Sequence, residues 1–185
     1  MKKFRIAALA LAAMAALPAS ANSLTFQGVT FETLALDADT LQLSILNADA
    51  ATGDWTGINF LKAFEIKDIG TITDATLSGW TDTVTSGLAA NGCTTGGTPG
   101  ACFTHTGGPL ALTSSLVFSI NFIGSNIDFS SPHLKVNFLT TSTGNKTGDL
   151  LSQTIPAIPE PETYALMLAG LGAVSFMAKR RRKVA

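Results

Sequence analysis

Between Asn22 and Ile158 the chain has no arginine, and Lys62, Lys67, Lys135 and Lys146 are its sole cationic side chains there apart from histidine. Eleven Asp and Glu residues, from Glu32 to Asp149, face those four lysines and give the stretch a net charge of −7. Nucleic-acid affinity comes mainly from Lys and Arg neutralising phosphates, so this balance argues against a nucleic-acid partner and against an anionic membrane surface. Histidine is scarce too, with His105 and His133 alone, and neither has a Ser or Cys neighbour in a recognised catalytic spacing. The sequence contains no G-x-S-x-G elbow, no H-E-x-x-H and no Walker-type loop. These absences remove the usual signatures of nucleophilic, zinc and phosphoryl chemistry. They lead to the expectation of a non-enzymatic protein that works without a cofactor.

The positive charge missing from the middle is concentrated at the two ends. Lys2, Lys3 and Arg5 precede an apolar run over 6–17 and then Pro18-Ala19-Ser20-Ala21. A basic start, about a dozen apolar residues and small residues at Ala19 and Ala21 describe an export leader, cut by signal peptidase after Ala21. The run is short for a bilayer core of about 30 Å, which separates a leader from an anchor. Residues 1–21 are therefore read as a signal peptide that engages the general secretion machinery.

At the other end, Pro159-Glu160-Pro161 precedes an apolar stretch containing Gly170 and Gly172, and Lys179, Arg180, Arg181, Arg182 and Lys183 follow. Proline fixes φ and lacks an N–H, so Pro156 to Pro161 reads as an extended stalk with a helix free to begin beyond it. A helix over 163–178 would span about 24 Å, slightly short of the hydrocarbon core, with Lys and Arg snorkelling at its end. The basic tail, 179–185, stays cytoplasmic and leaves stalk and domain on the exported side.

The triplet, the adjoining Glu162-Thr163-Tyr164-Ala165-Leu166, the glycine-containing apolar helix and the Arg-rich end together resemble the PEP-CTERM sorting domain of Gram-negative bacteria. The resemblance covers 158–185. It implies recognition in the inner membrane by an exosortase, a membrane cysteine protease-transpeptidase, and a cut near the triplet. It also implies a transient membrane anchor, then delivery to the cell envelope or an extracellular polymer. It implies nothing about the cargo.

The cargo, 22–157, is rich in Thr, Ser, Gly and β-branched residues. Leu41, Leu43 and Ile45 alternate with polar residues, as do Leu116, Phe118, Ile120 and Phe122, and Leu134, Val136 and Phe138. Period-2 alternation marks half-buried strands. Further strands are expected over 24–31, 58–67, 71–78 and 150–155; in the second of these Lys62 interrupts an apolar face made by Ile58, Phe60, Phe64 and Ile66. Seven or eight short strands separated by turn residues predict an all-β fold, an antiparallel β-sandwich with jelly-roll-like or Ig-like wiring.

Cys93 and Cys102 close a Gly-rich stretch of ten residues and are expected to form a disulfide in an oxidising compartment. Trp55 and Trp80 are the flat aromatics of the domain and thus its candidates for stacking on sugar rings, with core packing as their ordinary role. Asp37, Asp39, Asp49 and Asp54 are weak calcium candidates, because D-x-D and N-x-D spacings offer oxygen ligands but the EF-hand loop is missing. Asn145-Lys146-Thr147 fits the N-x-T glycosylation pattern. His133 alternates with Leu134 and is expected on a solvated strand face. The sequence thus points to an exported structural or adhesive envelope or matrix protein associated with exopolysaccharide or biofilm. The alternatives are a secreted carbohydrate-binding module, calcium-assisted or not, and, behind it, a secreted hydrolase using Asp or Glu.

Overall fold

The computed structural model describes residues 21–84, 86–95, 100–143, 151–158 and 169–171. Among them run β1 (Ala21–Phe26), β2 (Val29–Ala35), β3 (Thr40–Leu46), β4 (Phe60–Lys67), β5 (Thr71–Thr76), β6 (Trp80–Val84) and β7 (Ser86–Ala89). They continue as β8 (Gly92–Thr95), β9 (Gly100–His105), β10 (Leu110–Ala111), β11 (Ser115–Ser125), β12 (His133–Leu139) and β13 (Leu151–Thr154). One sheet has the order β1-β2-β3-β11-β5, and the second has the order β13-β12-β4-β9-β6 with β10 also paired to β4. The described pairings are antiparallel, and β7 and β8 form a separate two-stranded hairpin.

The expected sandwich is therefore present. Alternate side chains of each strand enter the space between the sheets, as the pleat requires. Leu41, Leu43 and Ile45 of β3 and Phe118, Ile120 and Phe122 of β11 meet Phe64 and Ile66 of β4 and Leu134, Val136 and Phe138 of β12 in one continuous core. Each such side chain contributes about 1.5–3 kcal/mol by leaving water.

Local chemistry explains where the observed strands depart from the expected ones. The window 24–31 is two strands, because Gln27 and Gly28 both take positive φ, 51° and 80°, and turn the chain in a two-residue hairpin between Phe26 and Val29. The interruption at Lys62 is a bulge. β12 pairs Asn137 with Ala63 but Phe138 with Leu61, so Lys62 is skipped and the inward face moves from Phe64 and Ile66 to Leu61. β6 through β10 lack apolar alternation and were not expected; the described residues hold more strands than the seven or eight foreseen.

The two cysteines do more than staple a loop. Cys93 on β8 is bonded to Cys102 on β9, with Cα atoms 5.7 Å apart, which fixes the β7–β8 hairpin to the second sheet. The hairpin covers the outer side of that sheet, where Leu88 packs on Ala63 and the disulfide. No helix among the described residues is long and apolar enough to cross a membrane. Residues 169–171 are helical; the rest of the expected span 163–178, the leader through Ser20 and the triplet Pro159-Glu160-Pro161 lie outside the described residues, as do the basic tail and Asn145-Lys146-Thr147.

Candidate functional site

Polar chemistry gathers on the outer face of the second sheet. Register places Lys135 of β12 between Glu65 of β4 and Ser152 of β13, and His133 between Lys67 and Thr154. These side chains share a face because they are two apart along each strand. His133 Nε2 lies 3.0 Å from the Ser152 hydroxyl and Nδ1 lies 3.2 Å from the Thr154 hydroxyl. The Asp68 carboxylate is farther, 3.9 Å from Nδ1. Burial holds the imidazole below its usual pKa, helped by the nearby Lys67 and Lys135 and opposed by Asp68 and Glu65, so His133 is neutral at pH 7. A neutral imidazole beside a serine hydroxyl is the first pair of a nucleophilic site. Here a second hydroxyl stands where the orienting carboxylate would be, and the arrangement is a clamp on the ring between two strands. The expected solvated strand position of His133 becomes a half-buried, hydrogen-bonded one. Sequence spacing missed Ser152 because it lies on β13 and reaches His133 through the β12–β13 pairing.

Beside this clamp Glu65 is fully enclosed. Its Oε2 accepts the Leu88 N–H at 2.8 Å and lies 3.1 Å from Lys135 Nζ. Its Oε1 has no hydrogen-bond partner among the described residues. Asn137, 1% exposed, donates to the Ala90 carbonyl at 2.9 Å. Gly100 on β9 keeps the space open: a Cβ there would lie 2.7 Å from Lys67 Cβ and 3.2 Å from Glu65 Oε1. The hairpin is thus held to the sheet by one disulfide, one buried carboxylate and one buried amide.

The remaining candidates are dispersed. Trp55 is 1% exposed, with its ring centroid 5.1 Å from Phe26, 5.2 Å from Phe138 and 6.1 Å from Phe31. Trp80 is half-buried against Phe64, Phe118 and His105. Asp37 and Asp39 occupy the β2–β3 turn, where Asp37 Oδ1 accepts the Asp39 and Thr40 N–H groups at 2.9 and 2.7 Å, and these bonds lower its pKa. Asp49 and Asp54 sit in two separate 3-10 turns between β3 and β4. Among the described residues no three His, Cys, Asp or Glu side chains form a metal-binding group.

A second feature lies where the chain leaves the sandwich. After β13, the Ile155 N–H bonds to the Pro132 carbonyl, and residues 156–158 then run along β1 at the edge of the first sheet. Ser23 N–H donates to Pro156 at 3.2 Å, Ile158 N–H donates to Ala21 at 2.9 Å, and Asn22 faces Ala157 in an antiparallel bridge. A cavity of about 230 Å³ beside this strap is lined by Ala21, Glu32, Leu34, Gln42, Ser44 and Ile158, among others. The two ends of the domain therefore emerge together, and the chain beyond Ile158 starts from the rim of a folded sheet.

An all-β domain whose C-terminal exit opens directly onto Pro159-Glu160-Pro161 has the layout of an exported cargo joined to a sorting signal. Residues 157–182 match the family model of the PEP-CTERM protein-sorting motif. The match begins inside the strap, one residue before Ile158, and marks the chain as an exosortase-targeted secreted protein. No curated protein and no solved structure matches the chain.

Proposed function

We propose that this protein is a non-enzymatic component of the cell envelope or extracellular matrix, made as a precursor with two removable signals and working without a cofactor. The leader is removed after Ala21, and the segment 163–178 then holds the domain at the inner membrane until an exosortase cuts near Pro159–Pro161. The observation that carries this reading is the sorting motif at 157–182, continuous with the end of a folded sandwich. The released domain serves a structural or adhesive role alongside exopolysaccharide. Supporting that role, the outer face of the first sheet presents Thr40, Gln42, Ser44, Ser119 and Asn121 with Val117 and Ile123. Hydroxyl and amide groups on this face, with Glu32 beside Ser44 and Asp74 beside Ile123, suit hydrogen bonding to sugar hydroxyls. With Trp55 in the core, this face supports polysaccharide association better than ring stacking does.

The test is to fractionate cells with and without the exosortase and read the C-terminus of the exported protein by mass spectrometry. An exported form that keeps Lys179–Lys183 in the presence of the enzyme overturns the processing reading. Co-sedimentation with the producer's own polysaccharide tests the second part, and a Ser119→Lys, Gln42→Lys double variant that sediments unchanged overturns the assigned face.

A further inference from the structure

The leader junction and the sorting junction are hydrogen-bonded to each other. Cleavage after Ala21 attacks the carbonyl of Ala21, and that oxygen accepts the Ile158 N–H at 2.9 Å. On its other edge Ala21 is paired with Leu34 of β2. Lying between the strap, which takes its hydrogen bond, and Leu34 of β2, a neighbour in a non-hydrogen-bonded pair, Ala21 offers no open strand edge to a protease cleft, and its carbonyl is already occupied where oxyanion donors would have to bind.

We propose that the strap of residues 156–158 on β1 is a clamp coupling the two processing cuts: a chain that folds with its leader attached is slowed at both, and a chain that has lost its leader is released at Ile158. This coupling rests on the two ends being removable signals, as proposed for the function. Hydrolysis adds water across the bond between Ala21 and Asn22, leaving a carboxylate on the departing leader and an ammonium on Asn22. The acceptor for the Ile158 N–H leaves with the leader. Ile158, already half exposed, then leads directly into Pro159 with one hydrogen bond fewer.

The buried surroundings of Asn22 fit the cut form. Asn22 is 1% exposed, and its Nδ2 donates to Thr33 Oγ1 at 3.2 Å and to the Phe129 carbonyl at 2.9 Å. Its Oδ1 is buried without a hydrogen-bond partner among the described residues. In the uncut chain the Asn22 nitrogen carries a single N–H, directed to β2 because the neighbouring residues Ala21 and Ser23 bond to the strap. The ammonium created by cleavage adds N–H donors on the same residue as that Oδ1, and Glu32, which lines the same cavity as Asn22, supplies opposite charge. Folding with the leader retained leaves a buried acceptor unpaired; folding without it supplies the donor.

The experiment uses full-length chains. Ala19→Asp blocks leader removal by spoiling the small-residue site. In cells with the exosortase, the folded Ala19→Asp precursor is expected to lose its Arg-rich tail about fivefold more slowly than wild type, while adding Ile158→Pro, which removes the clamping N–H, restores the wild-type rate of the C-terminal cut. Should Ile158→Pro on its own impair sorting, Ser23→Pro, which removes the other clamping N–H, takes its place. A C-terminal cut in Ala19→Asp at the wild-type rate, or no restoration by either proline, overturns the clamp. Amide exchange at Ile158, measured on leader-bearing and leaderless chains from cells without the exosortase, needs no sorting enzyme. Exchange about fivefold slower in the leader-bearing chain is expected for one hydrogen bond. Equal exchange overturns the clamp, whereas a wild-type chain never cut at its C-terminus, with the exchange contrast intact, overturns the sorting reading alone.

Discussion

Lys135 Nζ lies 3.1 Å from Glu65 Oε2, and the carboxylate it meets has no exposure to solvent while the lysine keeps 19% of its own. The pair is unequal, so its two halves respond differently to removal. Lys135→Met strands a buried charge that has just the Leu88 N–H for company, and a loss of about 3 kcal/mol is expected. Glu65→Gln keeps an acceptor for Leu88 and leaves a lysine that can turn to water, so about 1 kcal/mol is expected. Urea unfolding of both variants checks the order, and equal losses would contradict the enclosed position of Glu65.

Trp55→Ala tests a core role against a surface one. The indole is packed edge-on by Phe26, Phe31 and Phe138, and its truncation is expected to lower stability by about 3–5 kcal/mol. Polysaccharide co-sedimentation of the fraction that stays folded is expected to be unchanged. A variant of normal stability with lost binding would place this ring at a ligand.

Much of the sandwich was legible because burial on one face writes period 2 into a strand. β3 follows that rule residue by residue, as do β11 from Ser115 to Phe122 and β12 from His133 to Val136, and their expected core residues are the observed ones. The rule fails where both faces are covered. On β9, Gly100, Ala101, Cys102 and Phe103 are all buried, with the core on one side and the hairpin on the other, and no alternation remains to be read. Likewise Asn137 and Glu65 occupy positions that alternate as if solvent-facing, yet the hairpin roofs them. The roof depends on long-range pairing that local sequence does not encode. The His133–Ser152 contact was hidden for the same reason, because strand pairing and not spacing brings the two together. The sorting motif was legible in full, since its order of triplet, apolar stretch and basic end is linear.

The pKa of His133 gives stability a pH dependence of known sign. Its folded value is lowered, so the folded state takes up the proton less readily than the unfolded chain. The stability that the neutral ring contributes is complete above the unfolded value, about 6.5, and is lost as pH falls through the lower folded value. Urea midpoints measured from pH 7.5 down to pH 5 are therefore expected to fall, and His133→Gln is expected to flatten that slope. Asp37 and Asp128 act in a separate window. Both have lowered values, from backbone N–H bonds of Asp39 and Ser130 respectively, and their contribution is lost as pH falls below the usual carboxylate value of 3.8.

Removing the disulfide is expected to act on the hairpin before it acts on the sandwich. Cys93 and Cys102 are nine residues apart, and for a loop of about this length chain entropy assigns roughly 2.7 kcal/mol to the cross-link. The β7–β8 hairpin has no place in either main sheet, so beyond the disulfide its attachment among the described residues rests on the Leu88 and Asn137 hydrogen bonds, the Thr104 hydroxyl on Cys93 Sγ and the packing of Leu88 on Ala63. A Cys93→Ser, Cys102→Ser variant should therefore exchange its Leu88 amide much faster at unchanged exchange of the β3 and β11 amides. Freed from the hairpin, the Glu65 carboxylate meets water beside Lys135, and the pair becomes an ordinary exposed one worth under about 1 kcal/mol. The Lys135→Met penalty should then shrink in the cysteine-free background, a coupling that a double-mutant cycle reads directly. If the penalty is the same with and without the disulfide, the hairpin is not what encloses Glu65.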